Sequence, residues 1–138
     1  MKVVIVGCSR LGARLASVYD KRGHQVSIVD LDVLAFRRLE STFGGTTVIG
    51  TGIDEDILIS AGIEQADMFI AATNGDNRNI MASQLAKHAF HVRKVMCRIY
   101  DPVRADTYRK LGISAICPTV EIADLFLTDA GMDPVGAT

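Results

Sequence analysis

The sequence predicts an α/β fold, a doubly wound parallel sheet of six strands with helices on both faces. Three observations carry that expectation. Short β-branched apolar runs alternate with stretches of helical apolar spacing along the chain. A glycine recurs as the stop between a helix and the next strand, at Gly23, Gly44, Gly62 and Gly112. The first strand runs straight into a small-residue loop and a helix start, Gly7-Cys8-Ser9-Arg10-Leu11-Gly12, the local pattern of a phosphate-binding turn. Repeated βα units imply right-handed crossovers, and six strands fit the Rossmann-like order 3-2-1-4-5-6.

Each element follows in order. Val3–Val6 reads as the first strand; Leu11, Leu15 and Val18 then recur at helical spacing until Gly23. Gln25–Val29 is the second strand, ending at Asp30, and Asp32 is a candidate N-cap for a helix through Leu34, Arg38 and Leu39 that ends near Gly44-Gly45. Thr46–Ile49 is the third strand, followed by Gly50-Thr51-Gly52. Asp54, Glu55 and Asp56 place negative charge on the first turn of a short helix, where the helix dipole favours it. Met68–Ala71 is the fourth strand, and a long helix is expected from Asn77 to Ala89. Lys94–Arg98 is the fifth strand. Asp101-Pro102 starts a helix, since Asp caps and proline suits the first helical position. Ser114–Cys117 is the sixth strand, and Thr119 opens a last helix through Ile122, Leu125 and Phe126. The expected domain spans residues 1–130, with 131–138 as a flexible C-terminal tail carrying Pro134 and Gly136.

The chain has 138 residues, of which 49% are apolar and 22% charged, a balance that excludes a disordered chain and supports one packed core. The net charge of -1, with no Lys/Arg stripe, argues against nucleic acid or an anionic membrane as the main partner. Three cysteines, Cys8, Cys97 and Cys117, are odd in number and lack a Cys-x-x-Cys, so they read as reduced thiols of a cytosolic protein. No apolar run approaches the roughly 20 residues of a membrane span. Met1-Lys2 leads directly into the first strand, so no signal peptide is expected.

In such sheets the ligand lies outside the carboxyl ends of the strands, at the switch between the first and fourth. That rule gathers Gly7–Gly12, Asp30, Gly50–Gly52, Thr73–Gly75 and Arg98 on one edge. Gly7 allows the tight turn and Gly12 the close approach of helix to sheet. Ser9 stands where the dinucleotide fingerprint has its second glycine, and its hydroxyl is a candidate donor to a phosphate oxygen. Asp30 follows Gly12 at roughly the 20-residue spacing of the fingerprint's acidic residue. A carboxylate there accepts from both ribose hydroxyls of an adenosine and repels a 2′-phosphate, which disfavours NADP. The competing reading makes Asp30 a turn residue. Arg10 can reach phosphate oxygens bidentately. Arg98 is either a second anion ligand or a partner of Asp101. Thr73, Asn74 and Asn79 supply uncharged donors and acceptors beside the loop. His88 and His91 lack a carboxylate or cysteine to complete a metal set, and no serine has a partnered base.

Taken jointly, these residues resemble the TrkA N-terminal (RCK N-lobe) domains, regulatory nucleotide-binding domains of potassium channels and of Trk/Ktr potassium uptake systems. Gly7-Cys8-Ser9-Arg10-Leu11-Gly12 is similar to their Gly-x-Gly-Arg-x-Gly loop, and Asp30 to the acidic residue ending their second strand. Ala71-Ala72-Thr73-Asn74 with Asp76 and Asn79 resembles their fourth-strand loop, and Val95-Met96-Cys97-Arg98 before Asp101-Pro102 their fifth strand. Leu111-Gly112-Ile113 before the sixth strand also fits. Ser9 and Thr51 depart from the family pattern, which has glycine at the first and aspartate at the second. Many members continue into a second ligand-binding lobe, whereas this sequence ends soon after its sixth strand.

The resemblance implies a regulatory ligand, NAD(H) or ATP, ADP or AMP. It implies cofactor-binding residues Gly7, Cys8, Ser9, Arg10, Leu11, Gly12, Asp30, Leu31, Thr51, Gly52, Ala72, Thr73, Asn74, Asn79 and Arg98, with no catalytic or metal residue. It also implies a homodimer or larger ring on the cytoplasmic side of an integral-membrane potassium transporter or channel subunit, with no insertion into the membrane. Ile122, Leu125 and Phe126 then face either a partner subunit or the chain's own sheet. An NAD-dependent oxidoreductase, or a fragment of one, is the alternative, because the same scaffold serves both. A pure interaction domain leaves Asp30, Arg10 and the loop unexplained.

Overall fold

The computed structural model describes residues 1–136. Six parallel strands form one sheet in the order β3-β2-β1-β4-β5-β6: β1 Lys2–Val6, β2 Gln25–Asp30, β3 Thr46–Ile49, β4 Met68–Ala71, β5 Lys94–Arg98 and β6 Ser114–Ile116. The helices are α1 Arg10–Lys21, α2 Glu55–Ser60, α3 Asp76–Gln84, α4 Pro102–Lys110 and α5 Pro118–Asp129. The predicted strand order is the one observed. β1 lies at the centre, with Ile5 in register with Ile28 of β2 and Ile70 of β4.

Period-two alternation explains how so short a chain covers both faces. Val3 and Ile5 join Ala13, Ala16, Val26, Ile28 and Ile70 on the face packed by α1. Val4 and Val6 point the other way, joining Leu58, Ile63, Phe69, Ile80, Val95 and Ile99 beneath α2, α3 and α4. A central strand buried on both faces must be apolar throughout, and Val3–Val6 is.

Three segments differ from expectation. The helix expected from Asp32 to Gly44 is only a 3₁₀ helix, Val33–Arg38, capped by Asp32 through the Leu34 amide at 3.0 Å. Ala35 is its single buried residue, so no apolar stripe holds a longer helix to the sheet. The long helix after β4 runs as α3 and then widens into a π-helical stretch, Leu85–Ala89. The wider turn keeps Ala86 in the core while Leu85 and Phe90 pack against the same cluster. Third, α5 has no buried residue. Ile122, Leu125 and Phe126 are 52%, 67% and 75% exposed, so the alternative that packs them on the chain's own sheet does not hold among the described residues.

Beyond α5, in the stretch expected as a tail, the Val135 and Gly136 amides donate to the Asp124 carboxylate at 3.0 and 3.1 Å. Residues 137–138 lie outside the described residues. No helix among the described residues is long and apolar enough to cross a membrane.

Candidate functional site

The β1–α1 turn is fixed by backbone crowding. Gly7 has φ +102°, and a Cβ there would stand 2.7 Å from the Thr73 amide nitrogen at the end of β4. Gly12 has no such torsional need, but its Cβ would fall 1.9 Å from the Gly7 carbonyl oxygen. The two glycines therefore hold α1 and β4 against the loop, and the first-turn amides of α1 open at the sheet edge.

Ser9 is the N-cap of α1: its Oγ accepts from the Gly12 amide at 3.1 Å and donates to the Ala72 carbonyl at 2.7 Å. The hydroxyl proton expected for a phosphate oxygen is thus given to β4. Serine here exchanges the closest backbone approach for a cap and a tie between the two loops.

The Asp30 carboxylate is held at the end of β2 by two main-chain amides. Cys8 N–H donates to Oδ2 and Asp32 N–H to Oδ1, each at 2.8 Å. The turn role is therefore real, yet each oxygen keeps a lone pair for a further donor. Beside it the buried Cys8 thiol donates to the Ala35 carbonyl at 3.3 Å. Burial pushes that thiol up to about 11, the Asp30 carboxylate adds to the rise, and Arg38 opposes it. Cys8 is a protonated, packed group at neutral pH.

These elements frame a cleft of about 290 Å³ across the ends of β1, β2, β3 and β4, at the small end of ligand clefts. Of the sequence-derived residues, Gly7, Cys8, Ser9, Asp30, Leu31, Thr51, Gly52, Thr73 and Asn74 line it. Arg10, Leu11, Gly12, Ala72, Asn79 and Arg98 do not. Arg10 is exposed at the first position of α1. Leu11, Ala72 and Arg98 line a separate, almost wholly apolar groove on the α1 face.

Asn79 and Arg98 hold the site rather than face it. Asn79 is fully buried; its Oδ1 accepts from the Thr73 amide at 2.9 Å and the Thr73 hydroxyl at 2.6 Å. Its Nδ2 donates to the Thr73 and Arg98 carbonyls at 3.0 and 2.9 Å. The Arg98 guanidinium donates to the carbonyls of Ala72 and Thr73 at 2.9 and 2.8 Å and to Asn74 Oδ1 at 3.2 Å, and it lies over the Tyr100 ring. Of the two alternatives for Arg98, the pair with Asp101 is not formed: Asp101 caps α4 through the Val103 amide. Carbonyl oxygens at the end of β4 have captured the guanidinium expected to meet an anion.

Two cations that sequence reasoning missed line the cleft: Arg38, whose Nη1 donates to the Cys8 carbonyl at 3.1 Å, and Arg78. Arg38 looks like one residue of a helical stripe until the short 3₁₀ helix turns it inward. Arg78 stands between Asp76 and Asn79, inside a motif read for those two neighbours. Among the described residues no group of three or more His, Cys, Asp or Glu side chains is placed to hold a metal ion.

A parallel doubly wound sheet with a cleft over its β1/β4 switch and a carboxylate ending β2 defines the Rossmann-like class of nucleotide-binding domain. The TrkA-N domain family matches residues 3–118, and the chain belongs to that family. The Trk system potassium uptake protein TrkA of Streptomyces coelicolor is 46% identical over 127 residues, covering 92% of this chain and 57% of the relative. The chain thus spans little more than half the length of that curated relative. Among solved structures, the Shewanella denitrificans Kef C-terminal domain in its AMP-bound form has a TM-score of 0.75 at 22% identity, covering 94% of this chain and 79% of that one. The GsuK channel bound to NAD has a TM-score of 0.72 at 21% identity, covering 91% of this chain and 23% of that one. These two share the fold.

Proposed function

We propose that the chain is a cytosolic nucleotide-binding regulatory domain of a potassium transport system, sensing NAD(H) or an adenine nucleotide. The observation that carries this reading is Asp30, a carboxylate locked by two backbone amides in a cleft that Ser9, the N-cap of α1, also lines. That geometry suits a ribose diol beside a phosphate. The AMP and NAD in the two fold neighbours support the ligand class, and the curated relatives are named as potassium uptake proteins, which supports a role in transport. The cleft binds an adenosine nucleotide without a 2′-phosphate, since Asp30 would repel one. Different affinities for the nucleotide in two subunit arrangements then gate a membrane partner from its cytoplasmic side.

Assembly belongs to the same reading. The apolar groove along α1, β4, β5 and β6, and the unburied apolar stripe of α5, are two sticky surfaces on one chain. A second copy covers both at once in a two-fold exchange.

A thermal-shift panel with NAD, NADH, NADP, ATP, ADP and AMP tests the ligand, because a ligand that binds the folded state raises its stability by mass action. A rise with one of the 2′-hydroxyl nucleotides, absent with NADP and lost in Asp30→Ala, is expected. No rise with any of them would overturn the proposal, and turnover of a nicotinamide cofactor would favour the oxidoreductase.

A further inference from the structure

We infer that Arg78, rather than the Arg10 of the glycine loop, is the cleft's phosphate ligand and sets its preference among adenosine nucleotides by phosphate content. For the identity of the ligand this rests on the nucleotide reading above; the anion site itself does not need it.

Three observations meet at Arg78. First, it lines the cleft with Thr73 and Asn74, on the β4 side of β1. Asp30 lies on the β2 side, so a diol-binding carboxylate and a guanidinium stand at opposite ends of one cavity. Arg10 lines neither that cavity nor the apolar groove.

Second, Gly75 makes room for it. A Cβ on Gly75 would meet Arg78 Nε at 3.2 Å, Nη2 at 3.6 Å and Cζ at 3.7 Å. The guanidinium therefore folds back over the start of α3. Gly75 has an ordinary φ of -116° and is the N-cap of α3 without a side-chain cap bond. Torsion does not require a glycine at that position, and a Ser or Asp would cap the helix; the close approach of Arg78 is what its bareness permits.

Third, the charge is uncompensated. The ion pairs among the described residues are Lys21–Glu40 and Lys110–Asp106. The carboxylate nearest in sequence, Asp76, is turned away, accepting from the Tyr100 and Asp101 amides at 2.9 and 3.2 Å. A cation on the first turn of a helix opposes the helix dipole. A bound phosphate reverses that, satisfying the guanidinium and the helix start together.

The test is isothermal calorimetry with adenosine, AMP, ADP and inorganic pyrophosphate on the wild-type chain, Arg78→Gln and Arg78→Lys. Arg78 is exposed, so these variants keep the fold. The expected result for Arg78→Gln is a loss of about tenfold or more for ADP and pyrophosphate, with adenosine within about twofold of wild type. Arg78→Lys recovers part of the loss, because it keeps the charge and not the fork. Unchanged ADP affinity in Arg78→Gln, or an equal loss for adenosine, overturns the assignment. Arg78-dependent pyrophosphate binding without any binding of AMP or ADP supports the anion site while removing the nucleotide reading. No binding of either class by the wild-type chain overturns both.

Discussion

Asn79→Ala tests whether the β4 end is held from behind by one amide. In the wild type that side chain is fully buried and makes four hydrogen bonds, to the amide, hydroxyl and carbonyl of Thr73 and to the Arg98 carbonyl. Truncation leaves each partner differently placed. The Thr73 hydroxyl still has the Gly75 carbonyl at 3.3 Å, and the Thr73 carbonyl still has the Arg98 guanidinium at 2.8 Å. The Thr73 amide is orphaned, at about 1–3 kcal/mol, and the other lost bonds cost about 1 kcal/mol each. The sum is about 4–6 kcal/mol, a large part of the roughly 5–15 kcal/mol that holds an ordinary domain. Urea unfolding followed by circular dichroism reads this as a midpoint lowered by about 1–3 M at unchanged m. Asn79→Asp sharpens the test. At pH 7 its carboxylate keeps the acceptor role but turns a bare oxygen toward the Thr73 and Arg98 carbonyls, so it destabilises at least as much as alanine. Those carbonyls raise the carboxyl's pKa in the folded state above its unfolded value. The penalty therefore shrinks as pH falls toward about 4, where protonation restores one donor. A midpoint within about 0.3 M of wild type for Asn79→Ala, or an Asp penalty that does not vary with pH, would refute the reasoning.

Two further outcomes follow from the same structure. Burial, the largest cause, pushes the Cys8 and Cys97 thiols up to about 11 from 9.0; Asp30 adds to it and Arg38 opposes it at Cys8, while Ser83 opposes it and Asp76 adds to it at Cys97, so the folded chain holds both protons more tightly than the unfolded one. Their contribution is intact below about pH 9 and is lost as pH rises toward 11. Lys2, pulled down by burial, acts in the opposite sense. The comparison that isolates the thiols is therefore the slope of Tm against pH between wild type and Cys8→Ala/Cys97→Ala, shallower in the double variant; parallel curves would contradict it. For assembly, Phe126→Glu charges the exposed centre of the α5 stripe and is expected to convert a dimer to monomer in light scattering. An unchanged mass would remove α5 from the interface.

Most of the fold was legible because it rests on repeating local rules. Strand runs, cap glycines and the Asp101-Pro102 start each specify a unit, and right-handed crossovers leave one sensible order. What failed depended on burial that no local pattern encodes. The Asp32–Gly44 stretch has apolar residues enough for a helix, but only Ala35 finds the sheet. At the site, residue type and position were legible and side-chain direction was not. The place of Asp30 beside the cleft was legible because it is set by a strand end. Asn79 and Arg98 have the chemistry of ligand-binding residues, yet two open carbonyls at the end of β4 claim them first.

That capture takes Arg98 away from the phosphate role and leaves that role to the proposed Arg78. Ser9, Asn79 and Arg98 all converge on Ala72 and Thr73, clamping the β1 loop, β4 and β5 into one unit at the switch point. A group so fully committed cannot also move to meet a ligand without leaving buried carbonyls bare. Arg78 can, because its guanidinium is held by shape against Gly75 rather than by hydrogen bonds to the sheet. Arg98 has a different use under the proposed regulatory role. It borders the apolar groove on one side and grips the cleft's β4 edge on the other. A ligand that shifts Thr73 or Asn74 therefore shifts a wall of that apolar groove, which is the physical link that the proposed nucleotide control of assembly requires.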